Sequence, residues 1–90
     1  MSRIQATVKG MVQGVGFRYF VMRQASILDR TGYVRNCRDG SVEVEAEGDK
    51  ENLETLVKQL HRGPALSRVS NVQVEWLDDE KGYDSFDLKW

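Results

Sequence analysis

The sequence predicts an α+β fold, a βαββαβ sandwich in which an antiparallel sheet carries two helices on one face. Three observations lead there. Apolar and polar residues alternate over residues 4–9, 42–47 and 72–76, the period-2 pattern of strands with one buried face. Apolar residues recur at three- and four-residue spacing over 17–28 and 53–60, as on amphipathic helices. The steps Asp39-Gly40, Gly48-Asp49 and Gly63-Pro64 punctuate the chain between these runs.

Taken in order, Ile4, Ala6 and Val8 alternate with Gln5, Thr7 and Lys9 and form the first strand. A glycine-rich stretch, Gly10-Met11-Val12-Gln13-Gly14-Val15-Gly16, precedes Phe17, Phe20, Val21, Ala25 and Leu28, which mark a helix over residues 17–30. A second strand runs from Gly32 to Asn36. Asp39-Gly40 is a hairpin signal ahead of Val42, Val44 and Ala46, which alternate with Glu43, Glu45 and Glu47 on the third strand. Asp49 suits the N-cap of a second helix with Leu53, Leu56, Val57 and Leu60 on its apolar stripe, and Gly63-Pro64 ends it after Arg62. Val72, Val74 and Trp76 make the fourth strand; Phe86, Leu88 and Trp90 form a short terminal strand after an acidic turn.

This is the element order of the split-βαβ, ferredoxin-like unit, with spatial strand order 4-1-3-2. The first and second strands then run parallel, so the glycine-rich loop and Asn36 reach the same end of the sheet. Asn36 shares parity with Val34, which points its amide toward the start of the first helix.

Composition narrows the function classes. Ninety residues suit one domain, 1–90, with no room for a large cofactor cavity. Thirteen basic and fourteen acidic residues give a net charge of −1, so no global field draws in nucleic acid or an anionic membrane. Cys37 is the single cysteine, which excludes an internal disulfide and cysteine-ligated structural zinc and fits a reducing, cytoplasmic location. No apolar run approaches the ~18 residues of a membrane helix, and the N-terminus enters the first strand without a leader-like segment.

The glycine-rich loop is where chemistry is expected. Its glycines permit dihedrals that turn successive N–H groups inward as an anion nest, and the helix N-terminus adds unpaired donors. Arg18 lies in the first helical turn, where a cation opposes the helix dipole. A planar guanidinium beside a nest suits bidentate contact with phosphate oxygens. The spacing is neither a Walker nor a dinucleotide motif, and a tight strand-to-helix turn with a solvated arginine accounts for the glycines equally well.

The segment Val8-Lys9-Gly10-Met11-Val12-Gln13-Gly14-Val15-Gly16-Phe17-Arg18 resembles the first signature of the acylphosphatase family. Gly32-Tyr33-Val34-Arg35-Asn36, followed by Gly40, Val42 and Gly48, is similar to the second, and the likeness continues through Gly63-Pro64 to the C-terminal strand. One departure is Asp29-Arg30 after the first helix, where the family usually carries Gly-Leu. The resemblance implies hydrolysis of acyl phosphates to a carboxylate and inorganic phosphate, without metal or cofactor. Within it, the N–H groups of Gln13, Gly14, Val15, Gly16 and Phe17 would hold the phosphoryl oxygens, Arg18 would add the full positive charge, and Asn36 would hold the attacking water. The proton released by that water would pass to the substrate's own phosphate. The partners expected are a small acyl phosphate and the product phosphate as competitor, with no nucleic acid and no membrane, for a monomeric enzyme.

Other readings are weaker. A non-catalytic module, RNA-binding or regulatory, shares the element order, but the sheet face that would stack bases carries Glu43, Glu45 and Glu47. Cys37 lacks the loop of donors a thiol phosphatase needs. His61 in the last turn of the second helix suits the dipole, and Asp78-Asp79-Glu80 reads as a solvated turn rather than a cation site.

Overall fold

The computed structural model describes residues 2–90. The elements are β1 (Ser2–Met11), α1 (Phe17–Ile27), β2 (Thr31–Asn36), β3 (Val42–Gly48), α2 (Lys50–Arg62), β4 (Arg68–Leu77) and β5 (Phe86–Lys89). β1 pairs antiparallel with β3 and β4, and β2 pairs antiparallel with β3. Ile4, Ala6 and Val8 of β1 and Val42, Val44 and Ala46 of β3 are fully buried under Phe17, Val21 and Ala25 of α1 and Leu53, Leu56 and Leu60 of α2. The alternation therefore sends one side of the sheet into the helix-covered core. Among the described residues no helix is long and apolar enough to cross a membrane.

The expected four-stranded antiparallel sheet is corrected to a mixed sheet of five, in the order β4-β1-β3-β2-β5. The terminal strand β5 pairs parallel to β2, with Val34 opposite Leu88. β4 and β5 thus occupy opposite edges, and the connection between them, residues 78–85, must cross the sheet on the face away from the helices. Five strands span roughly 19 Å and eight extended residues reach about 26 Å, so the strap is long enough.

That strap covers one end of the sheet's other face. Glu45 and Glu47 are buried. Glu47 accepts the N–H groups of Lys81, Gly82 (3.1 Å) and Tyr83 (3.0 Å). Glu45 accepts from Arg3 and the Tyr83 hydroxyl, and Arg3 also donates to Asp79 at 2.8 Å. Asp79 is thus engaged in pinning the strap. Burial of carboxylates is tolerated because each meets donors.

The first helix ends at Ile27, short of residue 30. Leu28 is its C-cap, and Asp29 adopts a left-handed conformation with φ 54°. Asp29 N donates to Ser26 O at 3.1 Å and Arg30 N to Ala25 O at 2.8 Å, a Schellman closure with aspartate where glycine is usual. Arg30 Nε then donates to Leu28 O at 2.8 Å, placing a cation on the helix C-terminus. Asp49 is the N-cap of α2, but its side chain makes no capping bond; its carbonyl accepts Leu53 N at 3.0 Å.

Candidate active site

Between β1 and α1 the backbone alternates in handedness. Gly14 and Gly16 have φ of 74° and 79°, and Asp29 is the only non-glycine with positive φ among the described residues, so Gln13 and Val15 lie on the negative side. Alternating signs over successive residues turn consecutive N–H groups toward one point. Among the described residues, the N–H groups of Gln13, Gly14, Val15, Gly16 and Phe17 donate to no backbone carbonyl. Gly16 is the N-cap of α1, and its left-handed backbone lets the loop enter the helix directly. A Cβ at Gly14 or Gly16 would meet nothing within 4 Å, so what these positions demand is conformation, not space.

A cavity of about 110 Å3 opens over this turn, lined by Val12, Gly14, Gly16, Phe17, Arg18, Tyr19 and Asn36. Arg18 of α1 and Asn36 at the end of β2 are brought together. Gln13 and Val15 do not line the cavity: the Gln13 amide turns to the β2–β3 hairpin, and Val15 packs on the core. The buried Val12 and Phe17 form an apolar floor, while Tyr19 is 67% exposed at the rim. The lining holds no carboxyl, imidazole or thiol.

Arg18 is oriented by residues the sequence did not assign to the site. Its Nη1 donates to Lys89 O at 3.2 Å, and its guanidinium carbon lies 4.6 Å from the centroid of the Trp90 ring. Trp90 shares the parity of Phe86 and Leu88, which was a usable signal for its facing the α1 side; the strand's place beside β2 had none.

The hairpin beside Asn36 is wider than an Asp-Gly two-residue turn. Asn36 pairs with Val42, and Cys37 N donates to Ser41 O at 2.8 Å across the loop. Asp39 accepts from Ser41 Oγ at 2.6 Å and Ser41 N at 3.0 Å. Those donations hold its carboxyl below the ordinary carboxylate range.

The acylphosphatase family model matches residues 4–88. The chain belongs to the acylphosphatase family. An acylphosphatase of Salinibacter ruber is 47% identical over 87 residues, covering 97% of this chain and 92% of the relative. The crystal structure of acylphosphatase from Bacillus subtilis superposes with a TM-score of 0.98 at 36% identity, each chain fully covered. Full-length HypF, in a phosphate- and nucleotide-bound form, contains a similar unit: TM-score 0.91, 30% identity, spanning 99% of this chain and 12% of HypF. Members of the family are hydrolases acting on acyl phosphates, and this chain is one of them.

Proposed function

We propose that the chain cleaves the carboxyl–phosphate anhydride of small acyl phosphates by attack of a water held by Asn36 on a phosphoryl group seated on the N–H groups of Gln13 to Phe17. Arg18 supplies the positive charge that balances the phosphoryl oxygens. The observation that carries this is the convergence of an alternating-handed nest, a helix N-terminus, Arg18 and Asn36 on one 110 Å3 cavity, a volume suited to a phosphoryl group and little more. The Asn36 amide oxygen accepts from the water, and its NH2 donates to a substrate oxygen. The proton leaves with the substrate's own phosphate.

The chemistry of the lining selects the leaving group. A carboxylate, whose acid has a pKa of about 4, departs unprotonated, whereas an alkoxide needs a proton or a Lewis acid at that oxygen. A cavity lined by glycines, apolar side chains, an arginine, an asparagine and a phenol stabilises charge but is poorly equipped to deliver a proton. Anhydrides are therefore the fitting substrates.

The strap over Glu45 and Glu47, which covers one end of the face on which such modules stack bases, supports a small-molecule substrate over RNA. The proposed chemistry needs no second copy of the chain, and the single cysteine suits the cytoplasm. The test is an assay of the purified protein, with chelator present, on benzoyl phosphate and p-nitrophenyl phosphate. Benzoyl phosphate is expected to turn over rapidly, with inorganic phosphate competing, and the monoester to be hydrolysed far more slowly. Comparable rates on p-nitrophenyl phosphate would refute the assignment.

A further inference from the structure

The Gln13 side chain has a role separate from its backbone N–H. Its Nε2 donates to Cys37 O at 2.7 Å and to Ser41 O at 2.9 Å, the two carbonyls at either end of the loop that follows Asn36. Each carbonyl already accepts a backbone donor: Cys37 O from Gly40 N at 3.2 Å, and Ser41 O from Cys37 N at 2.8 Å. The amide nitrogen thus spends both hydrogens, and both carbonyls use both lone pairs. Turning the amide over would set its oxygen against two carbonyl oxygens, so the network admits one orientation. Asn36 and Val42, the last pair of the β2–β3 ladder, lie immediately inside this closure.

From this arrangement we infer that Gln13 is a positioning residue that fixes the distance between the phosphoryl nest and the water-holding Asn36. The two halves of the site arise from segments 24 residues apart in sequence, and among the described residues no other side-chain hydrogen bond joins the glycine-rich loop to the hairpin that follows Asn36. The nest rides on the loop containing Gln13, and Asn36 rides on the rung adjoining the Cys37–Ser41 closure that the Gln13 amide grips. Misplacing a nucleophile by about 1 Å can cost a hundredfold in rate. A tether of this kind acts on the chemical step and leaves the nest's own donors in place.

The inference rests on the proposed role of Asn36, and a double-mutant cycle separates the two. Gln13→Met removes both donors at similar length; Gln13→Asn keeps an amide that is one methylene too short to reach both carbonyls. In each, folded by circular dichroism, kcat on benzoyl phosphate is expected to fall tenfold or more, while the inhibition constant for inorganic phosphate shifts less than about threefold. Asn36→Ala is expected to lower kcat by roughly a hundredfold, and adding Gln13→Met to it should lower kcat by less than about twofold more, because the tether then has nothing left to position. Parallel loss of kcat and phosphate affinity in both Gln13 variants would show that Gln13 merely supports the nest. An additive double mutant, or a Gln13→Asn variant with unchanged kcat, would also overturn the tether while leaving the Asn36 assignment standing. If Asn36→Ala alone retains kcat, the water-holding role fails, and the tether with it.

Discussion

Arg18 in the first turn of α1 and Trp90 after β5 meet as a cation–π pair with the guanidinium carbon 4.6 Å from the ring centroid. Trp90 is itself 90% exposed, so the indole packs on almost nothing else. Such an exposed contact is worth about 0.5–1 kcal/mol. Trp90→Ala is expected to lower kcat/KM on benzoyl phosphate about two- to fivefold by freeing the guanidinium, with little change in thermal stability, and Trp90→Phe to restore most of it. Steady-state kinetics on the two variants check this; an unchanged kcat/KM for Trp90→Ala would make the contact incidental.

Arg18→Lys keeps the charge but loses the planar fork and the face that lies on Trp90. Both binding and turnover are expected to suffer, seen as a raised phosphate inhibition constant together with a kcat reduced at least tenfold. A folded variant with near wild-type kcat/KM would show that charge alone suffices at this position.

Asp29 pays for its place in the Schellman closure, because a left-handed conformation costs a non-glycine residue roughly 1 kcal/mol, and its charge opposes the helix C-terminus. Asp29→Gly relieves both, against a greater loss of chain entropy on folding. The net expectation is a gain of about 0.5–1 kcal/mol, or a Tm higher by about 3–6 °C, with kcat unchanged. Calorimetry of the variant beside the parent decides it.

The difference between what could and could not be read from the sequence has a common cause. Residues 4–8 and 53–60, and the apolar positions Val42, Val44 and Ala46, announce their elements because local periodicity and burial agree. Asn36 could be aimed at the glycine-rich loop because parity and parallel strands are rules of topology. Glu45 and Glu47 read as solvent-facing because alternation opposes them to the core; they are buried by a strap more than thirty residues away, which no local pattern records. The same is true of β5. Its alternation was visible, but four residues following a long connection do not say which edge they join. The helix end at Ile27 turned on Asp29 adopting a conformation that favours glycine, which the sequence could not announce.

The strap makes the protein's stability depend on pH at both extremes. Arg3 donates to Asp79 and holds its carboxyl below the ordinary range. A carboxyl with a lowered folded pKa stabilises the fold above its unfolded value near 4, and that contribution is lost as pH falls through the folded value. Burial, followed by donation to Glu45, pushes the Tyr83 phenol up to about 12. A raised phenol stabilises the fold fully below its unfolded value near 10, and the contribution is lost as pH rises from there toward 12. Urea denaturation should therefore show a plateau near neutrality, an acid limb below about pH 4 and an alkaline limb above about pH 10. Tyr83→Phe removes the ionising group, so it should be less stable at pH 7 yet show a shallower alkaline limb, with the slope that remains coming from Tyr33, which burial and donation to Glu43 also raise. Equal alkaline slopes in parent and variant would mean that Tyr83 ionises alike in the folded and unfolded chains and does not fasten the strap.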